Sequence, residues 1–173
     1  MPAEAILRLN TSTGNAQEYR PVQTSAGVGD AGKVPALDAA GRLDTSMMPV
    51  GVSAETVSFV ASGAIGVGKF VNLHLANSVL KGRLADNSNG RKAHCFVTTA
   101  VADAATGTGF YSSNKNDQLS GMTIGDVQFL GTAGGVTSTV PAAGAGVLVQ
   151  PLGIAESATA LTFETMQTIE RAA

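Results

Sequence analysis

The chain is poor in the residues from which deep sites and nucleic-acid surfaces are usually built. It has no tryptophan, and aromatic residues make up only 5% of its 173 positions. Few large side chains are therefore available to wall a deep pocket. Charged residues are also sparse, at 14%, and the 11 lysines and arginines are scattered over a chain of net charge -2. Binding to nucleic acid rests on clustered cations that neutralise phosphates, so no nucleic-acid partner is expected. The single cysteine, Cys95, excludes an intrachain disulfide framework and a cysteine-cluster zinc site. No run approaches the ~18 apolar residues of a membrane-spanning helix, and the basic-then-apolar layout of a signal peptide is missing. The expectation is a soluble chain made in a cytoplasm, with no membrane partner.

What is present is glycine, at 21 residues, together with abundant Ala, Ser and Thr. This composition supplies turns and β-compatible positions. From residue 54 onward short β-type runs alternate with Gly and Asn turns. In 55–60 and 69–75, aliphatic and aromatic residues alternate with polar ones, the period of a strand with one buried face. Phe70 interrupts the second run, whose inward set is expected to be Val71, Leu73 and Leu75. Residues 79–84 follow across Asn77-Ser78 as a hairpin partner. Asp86-Asn-Ser-Asn-Gly90 is a strong turn signal. Further strands are expected at 93–99, 107–112, 126–130, 136–140, 146–150 and 160–164, with 131–135 as a hairpin loop. Pro151 marks a bulge or an edge strand. The polar stretch 113–118 has no apolar anchor and is expected to be an exposed loop, and the chain is expected to end in a short tail. Some eight strands without an amphipathic helix between them point to an all-β fold, an antiparallel β-sandwich or barrel.

The first 53 residues read differently. Ala5–Leu9 has strand character, but Pro2, Pro21, Pro35 and Pro49 divide the region into pieces too short to share a core. We place the boundary near Val52-Ser53, giving an extended, mostly irregular arm over 1–53 and a β domain over 54–173. Such an arm either stays mobile or is ordered by a partner. Within it, Asp30-Ala-Gly-Lys-Val34 and Asp38-Ala-Ala-Gly-Arg-Leu43 repeat one plan: an Asp, a Gly one turn later, a cation and an aliphatic residue. Leu37, Leu43, Met47, Met48 and Val50 add an apolar face suited to a protein surface.

Motifs for chemistry fall short. Gly63-Ala-Ile-Gly-Val-Gly-Lys69 has the spacing of a phosphate-cradling loop, but Phe70 stands where a hydroxyl should hold Mg²⁺, and a strand pattern follows where a helix should start. It reads as a glycine-rich turn. His74 and His94-Cys95 lie on separate predicted strands, with no third and fourth metal ligand at a familiar spacing. No Gly-x-Ser-x-Gly elbow is present, and Glu156, Glu164 and Glu170 are too dispersed to be paired as acid and base. The reading is a non-enzymatic protein without cofactor or metal.

Four segments carry a resemblance: "DAGKVPALDAAGRLDTSMMP", "LADNSNGRKAHCFVTTAV", "LSGMTIGDVQFLGTAGGVTSTVP" and "VQPLGIAESATALTFE". They resemble segments of tailed-bacteriophage virion proteins, namely the small head-decoration or cement proteins and some tail-fibre modules. The likeness covers most of residues 29 to 164. It implies a β-rich body on the capsid exterior and an arm running along the major capsid protein, synthesised in the host cytoplasm. It implies stabilisation of the head by bridging capsid subunits, with a homotrimer the first expectation for self-association and a dimer the second. On this plan Lys33 and Arg42 pair with acidic capsid groups, Val34, Leu37 and Leu43 sit in shallow grooves, and Met47 and Met48 are further capsid contacts. The alternative is a tail-fibre or baseplate component contacting a host receptor, against which stands the lack of long repeats and heptads.

Overall fold

A computed structural model describes residues 5–48 and 54–172. The chain divides into two units, Met1–Ser53 and Ala54–Ala173. Pro2, Pro49, Val50 and the expected boundary at Val52-Ser53 lie outside the described residues. The fold is all-β.

In the first unit, β1 (Ile6–Leu9) and β2 (Ala16–Tyr19) form an antiparallel hairpin with Ile6 opposite Tyr19. Short 3-10 turns follow at Gly27–Asp30 and Thr45–Met47. No described residue of this unit is buried, so hydrogen bonds and not a core hold its shape.

The second unit opens with β3 (Thr56–Ala61), β4 (Phe70–Ala76), β5 (Val79–Leu84), β6 (Cys95–Phe96) and β7 (Thr106–Phe110). These five close into a barrel in the order β3-β5-β4-β6-β7. Four pairings are antiparallel, but β3 and β5 run parallel, with Val60 opposite Lys81. The expected all-β barrel is thus antiparallel at every pairing but one, and the parallel pair has a topological reason. A closed ring with an odd number of strands cannot alternate direction all the way round. The β4–β5 hairpin turns through Asn77 and Ser78, both at positive φ (52° and 59°), which matches the twist of the flanking strands.

Remaining strands are β8 (Lys115–Asn116), β9 (Val127–Leu130), β10 (Val136–Thr137), β11 (Leu148–Val149), β12 (Pro151–Ile154), β13 (Leu161–Thr162) and β14 (Ile169–Glu170). β10, β9 and β12 form a three-stranded sheet, β8 pairs with β13, and β11 with β14. Pro151 starts the edge strand β12, with a register shift before Gly153, as expected of a residue that cannot donate to the ladder. One expectation fails here. The 113–118 stretch is not a free loop, because it contains β8 and the fully buried Asn116, whose Nδ2 donates to the Gly68 carbonyl at 2.9 Å. The short tail carries β14.

Two cores share the strands between them. The barrel interior holds Phe59, Ala61, Ile65, Val71, Cys95, Val97 and Val101. A second core outside it gathers Phe70, Phe96, Leu130, Leu152, Leu161 and Phe163. Phe70 and Phe163 meet edge-on at 5.2 Å between ring centroids, and Phe96 stacks on Phe110 at 5.7 Å. Adjacent residues Phe70 and Val71 of β4, and Cys95 and Phe96 of β6, thus serve opposite cores. This is why Phe70 breaks the alternation. Farther along β4 cover runs out, and Leu75 is 75% exposed, not inward as expected. A five-stranded barrel is too narrow for a side chain at every inward position. Gly82 and Gly107 make room for the Phe59 ring: a Cβ at Gly82 would run into it, and one at Gly107 would lie 3.1 Å from it.

Candidate functional site

Three aspartates organise the arm. Asp30 accepts from the Ala26 amide at 2.6 Å and from the Lys33 ammonium at 2.5 Å, while its carbonyl accepts from the Lys33 amide. Gly32, at φ 79°, supplies the left-handed residue of this turn. Asp38 repeats the device: its Oδ1 accepts from the amides of Ala40 (2.8 Å) and Arg42 (2.9 Å), and Gly41 takes φ 73°. Asp44 caps the 3-10 turn at Thr45–Met47 by accepting from the Ser46 amide at 2.9 Å. The doubled Asp-Gly pattern is therefore two locked turns in succession, with a third lock behind them.

Longer-range bonds hold these turns in place. Val22 and Pro35 form a parallel bridge, with the Val22 amide donating to the Val34 carbonyl and the Ala36 amide to the Val22 carbonyl. The Val34 amide donates to the Tyr19 hydroxyl at 3.0 Å, and the Ser25 amide to Ser46 Oγ at 2.8 Å. Gln23 donates to the Leu37 carbonyl at 2.9 Å. None of these links is visible as a local motif, because the partners stand 12 to 21 residues apart.

Of the seven residues expected to meet a partner, Lys33, Leu43, Met47 and Met48 come together. They line one shallow concavity of about 450 Å³ with Val22, Pro35 and Asp30. Val34, Leu37 and Arg42 do not line it. Leu37 is 56% exposed, and Val34 is exposed as well. The two cations differ. Lys33 is paired with Asp30, whereas the Arg42 guanidinium has no ion-pair partner among the described residues. Hydrogen bonds from the Ala26 amide, and then from Lys33, hold the Asp30 carboxyl below the usual carboxylate range, and the same pairing raises Lys33. Sequence reasoning missed Val28, which at 93% is the most exposed large apolar side chain of the described arm. The available signal was an aliphatic residue between Gly27 and Gly29 with no periodic neighbour.

The second unit answers the remaining motifs. Gly63–Lys69 is a turn-rich connection in which Ile65 bridges Val101, and β4 begins at Phe70 where a phosphate loop would start a helix. His94 Nδ1 accepts from the Leu73 amide at 2.9 Å. Burial, with Lys92 adding to it, lowers the His94 pKa. Burial alone pushes the Cys95 thiol up to about 12, so it is packed as a small apolar group. Glu156 is bound to Lys115 at 2.7 Å and to Thr162 Oγ1 at 2.6 Å. Among the described residues no three of His, Cys, Asp and Glu are grouped as a metal site. No described helix is long and apolar enough to cross a membrane.

No family model and no curated protein matches the chain. Among solved structures, the N base of the head fiber gp8.5 of bacteriophage phi29 is similar, with a TM-score of 0.45 and 10% identity. The match covers 66% of this chain and 99% of that one.

Proposed function

We propose that this chain is a structural virion protein of a tailed bacteriophage, a decoration protein on the outer surface of the head. It bridges neighbouring major capsid protein subunits and stabilises the shell without chemistry. The observation that carries this reading is the arm: a segment with no buried described residue that nonetheless fixes its turns through Asp30, Asp38 and Asp44. On those turns it holds out Val28, Val34, Leu37, Leu43 and Met48. Apolar side chains presented on a preformed backbone cost less to order on a partner than the same residues on a free coil. The sequence resemblance to decoration proteins supports the same choice.

Mechanistically, a ligand that binds only the assembled shell lowers the free energy of that shell by mass action. Each buried Leu or Met contributes roughly 1.5–3 kcal/mol before ordering costs of about 1–2 kcal/mol per residue are subtracted. One arm is therefore weak. A homotrimer at local threefold positions, or failing that a dimer, raises the effective concentration of the remaining arms once one is seated.

The test is co-sedimentation of undecorated heads with the full chain and with a chain lacking residues 29–52. The full chain is expected on the heads and the truncated one in the supernatant, still folded by circular dichroism. Equal uptake of both would overturn the assignment of contact to the arm. A count of copies per particle separates head decoration, with hundreds expected, from a tail component.

A further inference from the structure

Lys69 ends the glycine-rich run that fails as a nucleotide loop, and its ammonium has no hydrogen-bond or ion-pair partner among the described residues. It is only half-exposed. It lines a concavity of about 330 Å³ whose walls come from three connections: Val67–Lys69 before β4, Gln118–Ser120 after β8, and Gly134–Val136 leading into β10. These walls are held firmly. The Gly134 amide donates to the Ala85 carbonyl at 2.6 Å, its carbonyl accepts from the Phe70 amide at 3.0 Å, and Asn116 grips the Gly68 carbonyl. The loops also approach closely. A Cβ at Gly68 would lie 2.5 Å from the Gln118 carbonyl oxygen, and one at Gly134 would lie 3.2 Å from the Lys69 Cβ. Lys69 Nζ sits 3.9 Å from the position a Cβ on Gly135 would take, so the charge lies over that loop.

A partly desolvated cation without a counter-charge favours an incoming anion. The acids that flank or bond these walls are engaged elsewhere: Asp117 accepts from Gln118 Nε2 at 2.7 Å, and Asp86 accepts from the Ser88 and Ala133 amides. The kind of anion follows from the amides. Those of Gly68, Gln118, Leu119, Gly134 and Gly135 all donate to acceptors within the protein, so most of the lining N–H groups that could cradle a phosphate are already taken. The Lys69 ammonium, the Ser120 hydroxyl and the Val67 and Ser120 amides remain, one charge with few donors beside it, which suits a single negative charge with two acceptor oxygens.

We propose that this concavity receives one carboxylate side chain, Asp or Glu, presented by a protein partner, with Lys69 as counter-charge and Ser120 as hydrogen-bond donor. It is a contact of the β unit, independent of the arm.

The test is amide-resolved NMR of the full chain titrated with N-acetyl-glutamate N-methylamide, with the neutral glutamine counterpart and with inorganic phosphate. The glutamate compound at millimolar concentration is expected to move the resonances of Ser120, Gly134 and Gly135 saturably, and the glutamine compound to leave them in place. The response should vanish in Lys69→Met, persist in Lys69→Arg, and weaken several-fold as salt is raised. Equal shifts from the glutamine compound, an unaltered response in Lys69→Met, or tighter binding of phosphate than of the glutamate compound would each overturn the assignment. Should Lys69→Met not fold, the glutamate-to-glutamine contrast and the salt dependence in the native chain decide the matter.

Discussion

Gly109 shows how little room the barrel leaves a single atom. A Cβ there would lie 2.5 Å from Cys95 Sγ and 3.2 Å from Val57 Cγ1. Gly109→Ala is therefore expected to cost about 1–3 kcal/mol in urea unfolding, the usual penalty of overpacking. Adding Cys95→Ala removes the obstructing sulfur, and the pair should show a favourable coupling of about 1 kcal/mol in a double-mutant cycle. Additive losses would place the clash elsewhere. Asp86 is the polar counterpart. Its carboxylate accepts from the Ser88 amide and hydroxyl and, at 3.1 Å, from the Ala133 amide, tying the loop after β5 to the β9–β10 loop. Burial opposes its ionisation, but these bonds and Arg91 outweigh the burial and hold its pKa below the usual value. A folded pKa below the unfolded one gives stability that is present above the unfolded value, near 4, and lost as pH falls through the folded value. Asp86→Asn should thus lower stability at neutral pH by about 1–3 kcal/mol, with a smaller gap from wild type in acid. A gap that stays constant from pH 7 to pH 2 would show that the charge is immaterial.

At the scale of elements, the β4–β5 hairpin carries a removable strain. Ser78 holds φ 59°, a conformation that favours glycine, between strands whose register is already fixed from Val71–Leu84 to Ala76–Val79. Ser78→Gly is expected to raise stability by about 0.5–1 kcal/mol in the same urea assay, and a loss would mean that the Ser78 side chain contributes something its geometry does not reveal. This hairpin was legible from sequence because its signals are local: alternation on each side and a two-residue turn between them. So were the strands at 56–61 and 127–130 and the turn at 86–90. What escaped depends on distant partners. Asn116 becomes core because its amide meets the carbonyl of Gly68, 48 residues earlier, and β8 exists because β13 lies beside it. Leu75 read as inward because periodicity says which face a side chain takes, not whether anything covers that face. In the arm the Asp-Gly turns were legible, while the bonds through Tyr19, Ser25 and Gln23 that position them were not.

At the scale of the whole molecule, the two units differ in what holds them together. Every residue of both cores falls between Val57 and Phe163, and no described residue before Met48 is buried. Cooperative unfolding draws on buried apolar surface, so it should belong to the second unit alone. A fragment of residues 54–173 is accordingly expected to melt within a few degrees of the full chain, with the same near-ultraviolet signal from Tyr111 and the phenylalanines of the cores. A peptide of residues 1–53 should give a broad, non-sigmoidal trace, because its turns rest on separate hydrogen bonds, each worth only about 0.5–1.5 kcal/mol net. A sharp melt of that peptide, or collapse of the 54–173 fragment, would show that the arm has a core of its own or completes the other one. The division matters for the proposed role. If the 54–173 fragment melts as the full chain does, the first unit can be reshaped, or bound by a partner, without unfolding the second.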